Sequence, residues 1–235
     1  MAASGNVEWS KFGGVLFDLD GVITPTALIH EKAWADLFAP WGFTNADYLA
    51  YVDGRPRYDG VRTFLAARGV SLPEGDPSDP PGDATICALG NRKDEMFNAV
   101  LARDGIAPYP GSIAVMDRLD ELGIPTAIVS SSKNARTVLR AAGIDDRFRA
   151  VVDGNTLVEE HLAGKPDPAM FLHAAQCLDV APANAVVVED AISGVAAGHA
   201  GHFGLVLGVD RGGNRQALGD AGAALVVDDL AETLA

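Results

Sequence analysis

The sequence predicts an α/β fold: a doubly wound, Rossmann-like parallel sheet with a helical insert after its first strand. Three observations carry this. Short apolar runs bounded by glycines and acids recur along the chain, as buried strands do. Helical periodicities separate these runs from about Gly111 onward, the alternation that builds a parallel sheet covered on both faces. Residues 28–108 break the alternation and are helical in pattern. At about 150 residues per domain, 235 residues allow one large domain or one domain with a smaller insert.

Gly14-Val15-Leu16-Phe17 is the first expected strand. The insert follows, with helical patterns at Ala33-Trp34, Leu37-Phe38, 61–65 and 96–101 and no convincing strand. Within it, 73–83 holds four prolines and three aspartates, which makes an exposed loop. If 28–108 were instead a linker between independent domains, the first strand would have no sheet to join. Ile113, Met116, Leu119 and Leu122 then recur at helical spacing until Gly123 ends the helix. The run 125–129 is the next strand, and the helix holding Val138 and Leu139 closes at Gly143. Pro168 opens a helix with Phe171, Leu172 and Leu178 on its apolar side. Strands at 185–188, 204–207 and 224–227 complete the sheet.

Composition narrows the function. With 48% hydrophobic and 21% charged residues the chain packs a core and is not disordered. Its formal charge of −14 repels a phosphate backbone, which excludes nucleic acid and anionic membrane as partners. An anionic substrate would therefore depend on a few local cations. Cys87 and Cys177 make neither a disulfide framework nor a metal set, in keeping with a reducing cytosol. Residues 1–14 lack the apolar core of a leader, and no run approaches membrane-spanning length.

The chemistry gathers at strand ends. In Phe17-Asp18-Leu19-Asp20-Gly21, alternation puts Asp18 and Asp20 on one side where the strand stops, and Gly21 permits a sharp turn. Two carboxylates there stay ionised together only with a cation nearby, unless the segment is a solvated acidic turn. Strand 185–188 also ends in acids, Glu189 and Asp190. Parallel strands share one carboxyl edge, where open α/β sheets place ligands, so these acids can converge on a hard cation such as Mg²⁺. Ser130-Ser131-Ser132-Lys133-Asn134 ends another strand, either as a phosphate site or as an N-cap. Gly164-Lys165-Pro166 supplies a lysine before a helix.

Taken in order, aspartate, hydroxyl, lysine and acidic pair on successive strand ends resemble the haloacid dehalogenase superfamily of phosphotransferases over nearly the whole chain. The insert stands where that superfamily carries a helical cap. Thr26-Ala27-Leu28-Ile29-His30, Trp34, Arg57, Arg92-Lys93 and Tyr109-Pro110-Gly111 are similar, in order, to the β-phosphoglucomutase family. The resemblance implies a core of residues 1–27 and 109–235 and a cap of 28–108. It also implies that His30 couples cap closure to acid/base chemistry, and that Arg57 and Lys93 hold the distal phosphate and sugar. Arg55 competes with Arg57 for that role, and the spacing to Val61–Phe64 favours Arg57. Pro25 stands where the family usually has an aspartate, and it stiffens the hinge.

The implied mechanism has Asp18 attack phosphorus in line, with Asp20 as general acid and base. Asp18, the Asp20 carbonyl and Asp190 would hold Mg²⁺, with Glu189 tuning or joining the metal shell. Ser130, Ser131 and Lys165 would bind the transferring phosphate. Thr26, His30, Trp34, Arg57, Lys93, Ser132 and Asn134 would meet the substrate. The expected function is a hexose-phosphate mutase of the β-phosphoglucomutase type, with a sugar-phosphate phosphatase as the alternative. A receiver-like phosphoacceptor module would not need the insert and its basic residues. A dehalogenase would leave Glu189-Asp190 without purpose. The expected partner is a small-molecule sugar phosphate, handled by a cytoplasmic monomer.

Overall fold

The computed structural model describes residues 5–234. Positions 1–4, part of the stretch read as lacking a leader and of the expected core segment, lie outside the described residues, as does 235. Six strands, β1 (Gly14–Phe17), β2 (Thr126–Val129), β3 (Ala150–Val152), β4 (Ala185–Glu189), β5 (Leu205–Val209) and β6 (Leu225–Val227), form one sheet in the order β3-β2-β1-β4-β5-β6. Every pairing is parallel.

Alternate strand residues enter two different cores, because neighbouring side chains of a strand point to opposite faces. Val15, Phe17, Ile128, Val186 and Val188 share one apolar cluster with helices α5 (Pro110–Glu121) and α6 (Ala135–Ala141). Leu16, Ala127, Val129 and Val187 share the other with the later helices of the chain. The insert is built from α1 (Thr26–Phe38), α2 (Asn45–Asp47), α3 (Arg57–Ala67) and α4 (Ile86–Asp104), and holds no strand. It has a core of its own, in which Phe38 packs on Trp34 and Phe64 with ring centroids 5.2 and 4.3 Å apart. Helix α4 belongs to both bodies: Ile86 and Leu89 enter the insert's core, while Phe97 and Leu101 pack on the sheet side.

The chain then runs through α7 (Gly154–Glu159), α8 (Ala169–Leu178), α9 (Ile192–Ala200) and α10 (Arg215–Asp220). Two expectations need correction. β3 has no counterpart among the expected strands: Arg149 and Asp153 confine its apolar run to three residues, whereas β6, also three residues at an edge, sits in the longer apolar run that begins at Ala223. Leu172 does not lie on the buried side of α8: it is 38% exposed, while Phe171 and Leu178 are buried. The loop 73–83 is exposed for most of its length, as its prolines and aspartates imply. No described helix is long and apolar enough to cross a membrane.

Candidate active site

The order of the strands makes β1 the switch point, since the chain leaves it to one side for β2 and returns on the other as β4. That is where an open α/β sheet leaves a crevice at its carboxyl edge. Register aligns the ends: Phe17 pairs with Ile128 and with Val188, and the Asp18 N–H continues the ladder to the Val188 carbonyl at 2.9 Å. The acids that follow β1 and β4 are thereby brought side by side.

Lys165 rises between them. Its ammonium donates to Asp18 Oδ1 at 2.5 Å, Glu189 Oε1 at 2.6 Å and the Val129 carbonyl at 2.9 Å, which uses all three of its protons. Burial opposes the charge on Lys165, but Asp18 and Glu189 more than offset it and raise its pKa. Glu189 Oε2 accepts the backbone N–H groups of Asp190 and Ala191, both at 3.1 Å. Gly194 is required beneath it, because a Cβ there would lie 1.8 Å from Glu189 Oε1.

Asp20 is held differently. Thr26 donates to its Oδ1 in a short bond, Ser130 Oγ lies 3.3 Å from its Oδ2, and His30 Nε2 stands 3.4 Å from Oδ1. Burial favours protonation of Asp20, yet His30, Thr26 and Lys93 outweigh it and bring the pKa down to about 2. His30 stacks on Phe97 at 4.1 Å, and its Nδ1 meets the Lys93 ammonium. Lys93 is buried and within about 5 Å of the Trp34 and Phe97 rings (5.1 and 5.2 Å), and burial, then Arg57, lowers its pKa to about 7. Burial and Lys93 likewise lower His30.

A cleft opens between the insert and the sheet edge, lined by Asp18, Asp20, His30, Trp34 and Asp190 among others. Arg57, Lys93, Ser131, Ser132 and Asn134 line it too, so residues far apart in sequence meet in one space. Thr26, Ser130, Lys165 and Glu189 support it from behind that lining through the bonds just given. Arg57 is fixed by Asp94, 2.7 Å from its Nη2, and Asn134 donates to the same carboxylate oxygen at 2.5 Å. The Ser131 hydroxyl donates to the Gly54 carbonyl of the insert at 2.8 Å, a contact its expected phosphate role does not include. The Ser132 hydroxyl accepts the Asn134 N–H at 3.1 Å.

Sequence reasoning passed over Tyr48, Asp53 and Asp94, which also line the cleft. The pair Asp53-Gly54 offered a signal, a glycine after an acid, and Gly54 does adopt φ +68°. Burial, then Glu189, pushes the Asp53 carboxyl up to about 7.

One oxygen from each of Asp18, Glu189 and Asp190 lies within 4.8 Å of the others, a hard donor set suited to a divalent cation. Burial raises the carboxyls of Asp18 and Asp190, and neighbouring carboxylates add to the rise, Asp53 and Asp18 at Asp190 and Glu189 at Asp18. A cation among them would relieve that repulsion. Gly21, at φ +87°, lets the Asp20 turn pass against Asp190, whose Oδ2 would lie 1.7 Å from a Cβ there. The residues present fit Mg²⁺.

Known proteins bear on this geometry. A family model described as haloacid dehalogenase-like hydrolase matches residues 12–202. The chain is 44% identical over 241 residues to a β-phosphoglucomutase of Mycobacterium bovis, covering 95% of this chain and 92% of the relative. It is 32% identical over 187 residues to hexitol phosphatase A of Escherichia coli, covering 79% and 77%. The crystal structure of a β-phosphoglucomutase from Clostridium difficile superposes with a TM-score of 0.75 at 26% identity, covering 94% of this chain and 92% of that one.

Proposed function

The chain belongs to the haloacid dehalogenase-like hydrolases and is an enzyme of phosphoglucomutase or phosphatase type, and from that premise we propose that it is a Mg²⁺-dependent β-phosphoglucomutase, interconverting β-glucose 1-phosphate and glucose 6-phosphate. The observation that carries this reading is the holding of Asp20. Its carboxylate meets Ser130 from the sheet edge and His30 from α1, with Lys93 of α4 behind His30. An acid/base group engaged by the insert is active when the insert is closed, and closure excludes the water that would hydrolyse the intermediate.

In this reading residues 28–108 act as a cap over a core of 1–27 and 109–235. Asp18 attacks phosphorus in line and becomes an aspartyl phosphate. Asp20, ionised at its low pKa, accepts the proton of the sugar hydroxyl that next attacks, having delivered one to the preceding leaving oxygen. Lys165 and Ser130, with Ser131 beside them, face the transferring phosphoryl group, and Lys165 offsets repulsion between Asp18 and an anionic substrate. Thr26, His30 and Lys93 orient Asp20, while Trp34, Arg57, Ser132 and Asn134 form the wall that meets the sugar phosphate. Asp18, the Asp20 carbonyl and Asp190 would hold Mg²⁺, with Glu189 supporting them, and the ion supplies charge neutralisation at carboxylate and phosphoryl oxygens.

The similarity to hexitol phosphatase A keeps hydrolysis as the second reading. The test supplies β-glucose 1-phosphate with Mg²⁺ and a trace of glucose 1,6-bisphosphate, and follows glucose 6-phosphate and inorganic phosphate together. Isomerisation that far outruns phosphate release is the expected result. Glucose and phosphate as the only products would replace the mutase by the phosphatase.

A further inference from the structure

Tyr109, Pro110 and Gly111 bring the chain back from the insert to the sheet and begin α5, and none of them lines the cleft. They pack instead on the segment that leaves for the insert. The Tyr109 N–H donates to the Ile23 carbonyl at 2.9 Å, and Ser112 Oγ donates to the Val22 carbonyl at 2.6 Å. The turn between Asp20 and α1 and the start of α5 are thus joined into one unit.

Arg211, in the loop after β5, closes on that unit. Its Nε donates to the Gly21 carbonyl at 2.8 Å and its Nη1 to the Asp228 carbonyl at 3.1 Å, with Asp229 Oδ2 3.6 Å from Nη1. The guanidinium carbon lies 3.8 Å from the centroid of the Tyr109 ring, a stacking distance. Asp229 reaches α5 as well, since a Cβ on Gly111 would lie 1.8 Å from its Oδ1. Arg211 Nη2 is buried and has no acceptor among the described residues. An unmet buried donor costs stability, so the arginine does not stand here for its own hydrogen bonding.

What Arg211 holds is the residue next to Asp20. Gly21 sits at φ +87°, and a residue without a side chain is fixed only by what its backbone meets. The other bonds of this turn are internal to it. The Gly21 N–H donates to the Thr24 carbonyl at 2.7 Å, and the Ile23 and Thr24 N–H groups donate to the Leu19 carbonyl, both at 3.0 Å. Among the described residues, the bond from Arg211 is the one that ties the Gly21 carbonyl to the rest of the protein.

We propose that Arg211 is a positioning residue for phosphoryl transfer: by holding the Gly21 carbonyl beside the Tyr109 ring, it aims the Asp20 carboxyl at the oxygen that leaves or attacks. This inference rests on the acid/base reading of Asp20, and it holds for a mutase and a phosphatase alike. In the first half-reaction an Asp18 carboxylate oxygen bonds phosphorus while the ester phosphorus–oxygen bond breaks, and the proton on Asp20 passes to the departing oxygen. A sugar oxygen needs that proton to leave, whereas p-nitrophenolate leaves without it.

The experiment measures kcat/KM of the Mg²⁺-loaded enzyme for glucose 6-phosphate and for p-nitrophenyl phosphate, following release of glucose and of p-nitrophenol. The ratio of the two values does not depend on how much of the protein is folded. Arg211→Ala should lower the value for glucose 6-phosphate by about tenfold to a hundredfold, the cost of misplacing a reacting group by up to about 1 Å, and that for p-nitrophenyl phosphate by under about threefold. Arg211→Lys keeps one donor for the Gly21 carbonyl and should fall between the wild type and Arg211→Ala, so it carries the test if Arg211→Ala does not fold. Asp20→Asn should itself lose glucose 6-phosphate selectively, and adding Arg211→Ala to it should cost under about twofold more, because the group to be aimed is gone. Equal losses on the two esters, or an undiminished further loss in the Asp20→Asn background, would make Arg211 a structural residue and overturn the inference. If Asp20→Asn spares glucose 6-phosphate, the acid/base reading falls and this inference with it. If Asp20→Asn is selective and Arg211→Ala is not, the inference falls alone.

Discussion

Lys165 Nζ lies 2.5 Å from Asp18 Oδ1, joining residues 147 positions apart, and both side chains are buried. Removing one member of a buried pair leaves an uncompensated charge, at a cost of about 3–5 kcal/mol. Lys165→Met should therefore lower stability by about that much, measured by urea unfolding, and also abolish turnover. Lys133→Ala, at a half-buried site with no ion pair among the described residues, should cost under about 1 kcal/mol. Adding Asp18→Asn to Lys165→Met should restore part of the stability, since the orphaned carboxylate is then gone. Equal, small losses from the two lysine variants would mean that the pair contributes nothing.

Asp18→Asn should abolish turnover on any phosphate ester, because an amide is no nucleophile. Asp20→Asn should bind Mg²⁺ nearly as well as the wild type, since the backbone carbonyl remains, yet slow phosphoryl transfer by about a hundredfold or more. Single-turnover kinetics separate the two. Near-normal rates in Asp18→Asn would remove the aspartyl phosphate from the mechanism.

Asp53 gives a pH dependence with a defined sign. Its carboxyl rises from 3.8 to about 7, chiefly by burial and then by Glu189, so the folded protein holds a proton that the unfolded chain releases. That contribution is fully present below pH 3.8 and is lost as pH climbs through about 7. Asp53→Asn should accordingly be more stable than the wild type at pH 8, by about 1–2 kcal/mol in metal-free buffer. The advantage should disappear near pH 4. Thermal melts across this range check it, and a constant difference at every pH would contradict it.

Metal binding is open to a test without turnover. If Asp18 and Asp190 hold Mg²⁺, millimolar Mg²⁺ should raise the melting temperature, by an amount equivalent to about 2.7 kcal/mol at a hundred times Kd. Asp190→Asn should melt higher than the wild type in EDTA, because it relieves the crowding of carboxylates, and should respond less to the metal. A wild-type melting temperature indifferent to Mg²⁺ would count against the site.

Five of the six strands and the strandless insert were legible in the sequence because burial leaves a local signature. A strand covered on both faces reads as an unbroken apolar run, as in Val186-Val187-Val188, wherever it sits in the sheet. β3 left none, because charged Arg149 and Asp153 cut its apolar run to Ala150-Val151-Val152. The carboxylates after β1 and β4 could be placed on one edge for the same reason, since parallel strands end together. Nothing local marked Asp94 as a cleft residue, and the glycine after Asp53 marked a turn without saying what the turn would face. Each reads as one more acid in a chain with 32 Asp and Glu residues.

By itself the sequence determined the fold class and the sheet edge at which the carboxylates after β1 and β4 gather, both of which follow from periodicity and strand direction. The tertiary structure decided the pairings. It joined Lys165 to Asp18 and Glu189, set Lys93 behind His30 rather than in open solution, and tied Arg57 to Asp94 while, among the described residues, the Arg55 side chain makes no ion pair. Whether a charge is free or satisfied depends on which opposite charge lies within about 4 Å of it. Distances of that kind are set by how the insert seats on the sheet, and residue spacing along the chain does not encode them.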